Sequence, residues 1–203
     1  MEILENQTVV DLCAAPGGKT TYLAALMQNT GVLYANELCK DRTYSLKGNV
    51  HRMGVTNCII TNMDALDFSI KKVDRVLLDA PCSGTGIISK DKSVKTSKTA
   101  SEIKKTQKLQ QKLILHAFDM LKQNGFMVYS TCSFLVEENE EVVDYLLRNR
   151  KNARIDVPDV GIGRDGFTSF RGKDFSNELK KAKRIYPHVH NMHGFFYVKI
   201  KKI

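Results

Sequence analysis

Short apolar runs that end in polar residues alternate with helical patterns along this chain, and this alternation constrains its fold more than any other feature. The predicted strands are 8–12, 32–35, 58–60, 74–79 and 126–132. The predicted helices are 20–28, 40–53, 101–122 and 137–148. Strand–helix alternation of this kind builds a doubly wound, mostly parallel sheet. We therefore predict an α/β fold that ends in an antiparallel strand over 195–200, at or near an edge of the sheet.

Local signals refine these boundaries. Ser101 is predicted to cap the long helix and Gly125 to stop it. The helix from Glu137 carries acidic residues in its first turn, as the helix dipole favours. The polar segment 89–100 is predicted to be a loop, and 150–183 to be irregular and basic.

Charge points to a polyanionic partner. The 203 residues, which we expect to form a single domain, carry a formal net charge of +9. Residues 90–112 hold eight lysines against two acids, and residues 171–202 hold nine lysines or arginines against two acids. Either cluster alone is typical of a solvated face, but two clusters in a basic chain favour nucleic acid. No apolar run approaches the roughly 20 residues that span a membrane, and no signal-peptide pattern is present.

Cysteine usage favours reduced thiols in an intracellular compartment. The five cysteines are widely spaced and form no C-x-x-C pair, so neither a zinc knuckle nor a disulfide framework is predicted. The five are Cys13, Cys39, Cys58, Cys82 and Cys132.

Two of these thiols follow predicted strands. Asp79-Ala80-Pro81-Cys82-Ser83-Gly84 ends one apolar run, and Ser130-Thr131-Cys132-Ser133 ends another. Ligands bind outside the carboxyl ends of strands in open α/β sheets. Two thiols at that edge, with the carboxylate of Asp79 beside one, predict a site of covalent chemistry. The pattern alone does not decide which cysteine attacks.

A small-residue loop after the first strand predicts a cofactor site. Residues 11–20 contain Gly17 and Gly18 just before a helix, where a backbone can approach an anionic group closely. The loop is neither a Walker loop nor a G-x-G-x-x-G turn. Glu37 after the second strand suits ribose hydroxyls, and Asp64 after the third suits an adenine amine, so we predict an adenosine-type cofactor.

Three linked motifs identify a family. The segments 13–20, 79–84 and 131–133 resemble those of the Nop/Sun (RsmB-like) RNA cytosine-C5 methyltransferases, and the resemblance covers nearly the whole chain. It implies a Rossmann-like methyltransferase fold with S-adenosylmethionine as cofactor. The cofactor-binding residues that it implies are Cys13, Ala14, Ala15, Pro16, Gly17, Gly18, Lys19, Glu37, Arg42, Asp64 and Asp79. Glu37 departs mildly from the aspartate usual in the family.

The resemblance also assigns the two thiols. Adding a thiolate to carbon 6 of cytosine activates carbon 5 toward a methyl group. DNA cytosine methyltransferases place the nucleophile in a Pro-Cys context, which would point to Cys82. The Nop/Sun resemblance instead points to Cys132 as nucleophile, with Cys82 releasing the product and Asp79 holding the N3/N4 edge of the base. We adopt the second assignment.

The tail carries further signals. His188, His190 and His193 form an H-x-H-x-x-H cluster, but it lies inside the family's tail motif, so we predict packing near the base pocket and no metal site. We predict that the aromatic side chains of Phe195, Phe196 and Tyr197 pack in the core of a strand and do not serve as stacking platforms for RNA bases.

The same resemblance sets expectations about the whole protein. The motifs at 48–57 and 184–196 look most like those of the eukaryotic nucleolar branch, which acts on large-subunit ribosomal RNA. The resemblance therefore implies a monomer that is located in the nucleolus of the nucleus, binds RNA and does not bind a membrane. Family members carry an RNA-binding extension before the first strand, and here seven residues precede Thr8. Three alternatives stay open: a ribosome-assembly factor that binds ribosomal RNA with little turnover, a tRNA methyltransferase and a DNA methyltransferase.

Overall fold

The structure is a computed structural model, and it describes residues 2–158 and 160–203. The helices are α1 (Gly18–Leu26), α2 (Lys40–Arg52), α3 (Val94–Ser97), α4 (Ala100–Met120), α5 (Glu140–Asn149) and α6 (Pro187–His190). The strands are β1 (Thr8–Asp11), β2 (Val32–Asn36), β3 (Cys58–Thr61), β4 (Val73–Asp79), β5 (Leu121–Thr131), β6 (Ala153–Asp156), β7 (Arg164–Asp165), β8 (Ser169–Phe170), β9 (Lys173–Asp174), β10 (Lys183–Ile185) and β11 (Phe195–Lys202). Short 3₁₀ turns lie at Thr85–Ile87, Val136–Glu138 and Asn177–Lys181.

The central sheet confirms the predicted architecture. In the described residues its order is β3-β2-β1-β4-β5-β11-β10-β7, with β6 also paired to β11. The pairings among β1 to β5 are all parallel, and β11 runs antiparallel to β5. Right-handed crossovers through helices favour this parallel arrangement. The carboxyl ends of β1, β4 and β5 therefore share one edge of the sheet.

Helices cover both faces because successive strand side chains point in opposite directions. Val9 and Leu77 pack with apolar residues of α1, whereas Val10 and Val76 pack with those of α4 and α5. Both faces of the sheet are therefore buried beneath helices, and full burial of each large apolar side chain stabilises the fold by about 1.5–3 kcal/mol. No helix among the described residues is long and apolar enough to cross a membrane.

The boundaries of the long helix differ from the prediction. Thr99, not Ser101, caps α4, and its hydroxyl and the Glu102 carboxylate form a reciprocal capping box. The helix ends at Met120 and β5 follows at once, so Gly125 lies within the strand and does not stop the helix. Glu102 three residues after a threonine is the sequence signature of this cap.

The C-terminal region also differs. The closing strand β11 is antiparallel and near one edge of the sheet, as predicted, but it is not the edge strand itself, since β5 flanks one side and β6 and β10 flank the other. The segment predicted to be irregular supplies those short strands, and the segment predicted to be a loop contains α3. The predicted helix at Glu137 begins as α5 only at Glu140, after a 3₁₀ turn.

Candidate active site

Adjacent strand ends bring the two predicted thiol motifs together. The β4–β5 register places Asp79 opposite Ser130, so the residues that follow each strand leave the sheet side by side. The Sγ atoms of Cys82 and Cys132 lie 3.3 Å apart, and both side chains are half-buried. The sequence prediction that the two cysteines share one edge therefore holds in the structure.

The two thiols are not equivalent. The hydrogen bond with Cys132 and burial raise the pKa of Cys82 well above its usual range. The same hydrogen bond lowers the pKa of Cys132 to about 7, against the opposing effects of burial and of Asp79. Since a donor thiol stabilises the neighbouring thiolate, Cys132 loses its proton at a lower pH than Cys82 does.

Glycines let the loops around the cysteines approach closely. Gly86 donates its N–H to the Cys132 carbonyl at 2.8 Å, and its own carbonyl accepts from the Gly194 N–H at 2.9 Å. A Cβ on Gly86 would lie 2.5 Å from the Gly194 carbonyl oxygen, which no side chain tolerates. Backbone hydrogen bonds thus connect the loop after β4 to the loop after β5 and to the residue before β11.

Asp79 lies between the thiols and the small-residue loop. One carboxylate oxygen accepts from Lys19 Nζ at 2.7 Å, and the other accepts from the Ser130 hydroxyl at 2.7 Å. The Lys19 ammonium also lies 5.4 Å from the centre of the Phe195 ring. These contacts fix the direction of the Asp79 carboxyl group, and they place a cation at the centre of the site.

The small-residue loop forms a cavity. Gly17 has φ of 104° and a Cβ there would lie 2.9 Å from Leu46, so the sharp turn into α1 requires glycine. The cavity has a volume of about 260 Å³. Its lining residues are Asp11, Cys13, Ala14, Ala15, Pro16, Gly18, Lys19 and Asp79. Burial raises the pKa of the Cys13 thiol to about 12, so this thiol stays protonated and packs against the core.

Asp11 is the residue of this cavity that the sequence analysis missed. It is buried at the end of β1, and burial raises the pKa of its carboxyl group to about 7 despite a hydrogen bond from the Thr20 hydroxyl at 2.7 Å. Its Oδ1 atom has no hydrogen-bond partner. A buried oxygen of this kind calls for a partner, and a cationic ligand group would supply one. The signal was an aspartate that ends the first apolar run.

Glu37 and Arg42 hold the loop from behind. Glu37 is buried and accepts the Ala15 N–H at 3.2 Å and the Cys39 N–H at 3.0 Å. Arg42 donates to the Ala15 carbonyl at 2.6 Å and lies 3.4 Å from the Glu37 carboxylate. Both residues thus reach the predicted loop, and the Glu37 carboxylate anchors it through a backbone bond.

Asp64 does not join this group. Its side chain is exposed and accepts the Leu66 N–H at 2.9 Å, which is a contact within its own turn, and it does not line the cavity. The tail histidines have separate partners: His190 accepts the Tyr186 N–H, and His193 lies 3.4 Å from the Ser89 hydroxyl. No cluster of metal-ligating side chains occurs among residues 2–158 and 160–203.

The aromatic residues of the tail divide between core and cavity. Phe196 is fully buried in the main core, whereas Phe195 is half-buried. Phe195 and His193 line a second cavity of about 630 Å³ that also touches Lys19. The prediction of strand core is therefore right for Phe196, while Phe195 faces the site.

Comparison with known proteins identifies relatives along the whole chain. The family model of the 16S rRNA methyltransferase RsmB/F matches residues 1–201. The chain is 49% identical over 205 residues to the 25S rRNA (cytosine-C(5))-methyltransferase nop2 of Schizosaccharomyces pombe, covering 98% of this chain and 34% of that protein. It is 50% identical over 204 residues to the 28S rRNA (cytosine-C(5))-methyltransferase of Mus musculus, covering 98% of this chain and 26% of that protein. The chain thus spans about a quarter to a third of the length of these curated relatives.

Solved structures agree on the fold. A methyltransferase homolog protein from Pyrococcus horikoshii is 38% identical with a TM-score of 0.88, covering 100% of this chain and 63% of that chain. The crystal structure of NSun6 from Pyrococcus horikoshii with SFG is 35% identical with a TM-score of 0.85, covering 99% of this chain and 49% of that chain.

Proposed function

Because this chain belongs to the RsmB/F methyltransferase family, as its motifs predicted, we propose that it is the catalytic domain of an S-adenosylmethionine-dependent RNA (cytosine-C5) methyltransferase. The observation that carries the proposal is the 3.3 Å contact between Cys82 and Cys132 beside Asp79. That contact supplies one thiolate, one thiol and one carboxyl group at a single strand edge, which is what addition to a cytosine ring and release from it require.

The chain's own residues divide the work as follows. The Cys132 thiolate adds to carbon 6 of the target cytosine, while Asp79, held by Lys19 and Ser130, binds the N3/N4 edge. After methylation a water molecule or hydroxide ion takes the C5 proton, the electron pair of that bond forms the C5=C6 double bond, and the bond between Cys132 and carbon 6 breaks to return the Cys132 thiolate. Cys82, which holds a proton 3.3 Å from the same sulfur, assists that release.

The cavity around Asp11 fits the proposed cofactor. The unpartnered Asp11 oxygen is buried, and the helix turn at Gly17 and Gly18 leaves backbone open to a ligand. An α-amino acid group presents an ammonium that suits the first and a carboxylate that suits the second. S-adenosylmethionine carries such a group, and when bound it supplies the methyl group. We assign Cys13 through Lys19, Glu37, Arg42 and Asp79 to this site, with Asp11 added, and we leave Asp64 out because its side chain is exposed and does not line the cavity.

The positive charge of the surface, as well as the family, supports RNA as the proposed substrate. Lys104, Lys105, Lys108 and Lys112 are exposed on α4, and none of them forms an ion pair within the described part of the chain. A cleft of about 240 Å³ joins Lys98 and Lys105 to Ser83, the neighbour of Cys82. An unpaired lysine face that reaches the thiols suits the phosphate backbone of a bound strand.

The similarity to 25S and 28S rRNA enzymes makes large-subunit ribosomal RNA the substrate that we propose, and the nucleolus the place of action. The test is transfer of a labelled methyl group from S-adenosylmethionine to a large-subunit ribosomal RNA transcript, a tRNA transcript and DNA of the same sequence. We expect label on carbon 5 of cytosine in the ribosomal RNA. Label on DNA alone would overturn the proposal, and so would RNA binding without transfer, which is the behaviour of an assembly factor.

A further inference from the structure

Three consecutive polar residues that lead from the 3₁₀ turn after β5 into α5 have no exposed surface. They are Glu138, Asn139 and Glu140, and each is buried completely. Charged side chains are almost never fully buried unless every polar atom finds a partner. The partners of these three side chains therefore show what the segment does.

Glu138 holds the loop that carries Cys82. Its Oε1 atom accepts the Ser83 N–H at 2.8 Å, and its Oε2 atom accepts the Ser83 hydroxyl at 2.6 Å. Its own carbonyl accepts the Tyr129 hydroxyl at 2.6 Å, which ties Glu138 to β5. Both oxygens of one carboxylate are thus committed to the residue directly after Cys82.

Asn139 holds the loop that carries Cys132. Its Oδ1 atom accepts the Thr131 hydroxyl at 2.6 Å, and its Nδ2 atom donates to the Ser133 carbonyl at 2.9 Å. The amide therefore bridges the residues on either side of Cys132. Glu140 serves a different region, since it binds Arg184 and the Phe167 N–H.

We propose that Glu138 and Asn139 are positioning residues that keep Cys82 and Cys132 in sulfur–sulfur contact, each by fastening one cysteine loop to the same two-residue segment. Buried polar networks gain little stability over apolar packing, so stability alone does not account for this placement. The inference rests on the proposed function for its catalytic meaning. The positioning itself is a property of the free protein.

The test is the pH dependence of Cys132 alkylation by iodoacetamide in the free protein, followed by peptide mass spectrometry. Glu138→Ala releases Ser83, so the sulfurs separate and Cys132 loses the hydrogen bond that lowers its pKa. We expect its alkylation midpoint to rise by about one pH unit and the rate at pH 7 to fall roughly fivefold. Glu138→Gln keeps an acceptor for the Ser83 N–H and a partner for its hydroxyl, and should restore the midpoint.

Asp144→Ala is the matched control. Asp144 is a buried carboxylate on α5 that accepts the N–H of a different serine, Ser176, at 2.8 Å. Its loss should lower the melting temperature and leave the Cys132 midpoint unchanged. The positioning role is refuted if folded Glu138→Ala keeps the wild-type midpoint, or if Asp144→Ala moves that midpoint equally. The other charged groups that face the sulfurs, Asp79 and Lys19, are intact in every variant.

A second variant covers the case in which Glu138→Ala does not fold. Thr131→Val keeps the shape of a fully buried side chain and removes its hydroxyl, which donates to Asn139 Oδ1 at 2.6 Å and accepts the Ser133 N–H at 3.2 Å. It should raise the midpoint in the same direction, and an unchanged midpoint would refute the proposal. Because no RNA or S-adenosylmethionine is present, a wild type that shows the low midpoint but transfers no methyl group refutes the proposed function only.

Discussion

Cys82 and Cys132 are fifty residues apart in the sequence, and their sulfurs are 3.3 Å apart in the structure. Two neighbouring parallel strands produce this contact, because Asp79 at the end of β4 is in register with Ser130 in β5. Strand register brings the two loops side by side, and the bonds of Glu138 and Asn139 fasten the residues next to each cysteine.

Removing one thiol or the other should have opposite effects on covalent capture of RNA. Cys82→Ala should accumulate a protein–RNA adduct, because Cys132 still adds to the base while the group that assists release is gone. Cys132→Ala should form none. Denaturing gel electrophoresis of each variant after incubation with RNA and S-adenosylmethionine measures this. An adduct that survives loss of Cys132 and disappears with loss of Cys82 would reverse the assignment.

Loss of Cys82 should also change the acidity of Cys132. The pKa of Cys132 is about 7 because the Cys82 thiol donates a hydrogen bond to it, so Cys82→Ala should move that pKa toward the ordinary value of about 8.5. The thiolate forms as pH rises through the pKa, so alkylation at pH 7 should slow roughly tenfold and recover at alkaline pH. Cys58→Ala removes a thiol that lies beside other core residues and should leave the midpoint where it is. Equal midpoints in the wild type and Cys82→Ala would show that the sulfur contact does not tune Cys132.

Asp11 should make the ligand-free protein less stable as pH rises. Its folded pKa of about 7 lies above the ordinary 3.8, so the folded state binds more protons between these values and stability falls across that window. The loss amounts to roughly 4 kcal/mol at most. Asp11→Asn keeps an acceptor for Thr20 and removes the charge, so it should raise the melting temperature at pH 8 and change it little at pH 4.

The exposed Asp64→Asn is the control for this effect and should show no such pH-dependent gain. Binding of S-adenosylmethionine to Asp11→Asn, measured by calorimetry, should weaken because the cationic group loses its buried partner. If Asp11→Asn is no more stable than the wild type at pH 8, the Asp11 carboxylate does not destabilise the ligand-free protein.

Neutralising the lysine face of α4 should weaken RNA binding and its dependence on salt. Lys104, Lys108 and Lys112 are spaced four residues apart and share one helix face. Replacing all three by glutamine should reduce the slope of log affinity against log salt by about 0.7 for each phosphate of a single strand that the variant no longer neutralises. Filter binding across a salt series measures the slope.

The control for the lysine face removes the same charge elsewhere. Lys47, Lys71 and Lys151 are also exposed, and they lie outside α4. Their replacement by glutamine should lower RNA affinity less and leave most of the salt slope. An equal decrease in affinity for the two triple variants would mean that net charge, and not this face, attracts RNA.

The sequence was sufficient to predict the parallel part of the sheet and to predict that the two thiols lie at the same edge of it. Apolar runs mark buried strands, and strand ends share an edge, so Cys82 and Cys132 could be placed together from the pattern alone. The internal position of β11 could not be predicted. Its neighbour β10 is only Lys183–Ile185, and the burial of Arg184 depends on an ion pair with Glu140 that no periodicity shows.

The burial of polar side chains in the core also could not be predicted from the sequence pattern. The pattern predicts only that Glu138 and Glu140 lie in the acidic first turn of a helix, yet both are fully buried and bonded to residues far along the chain. Asp11 read as the end of a strand, and only the structure shows its unpartnered oxygen. In each case a single residue type fits two environments, and the partner that decides between them is distant in sequence.

Glu138, Asn139 and Glu140 stand on consecutive positions, and each is committed to a separate part of the molecule. Inserting or deleting one residue between Thr131 and Glu138 would shift all three side chains at once, and no single compensating substitution would bring them back. We therefore expect this segment to keep a constant length as such genes diverge, even where its individual letters change.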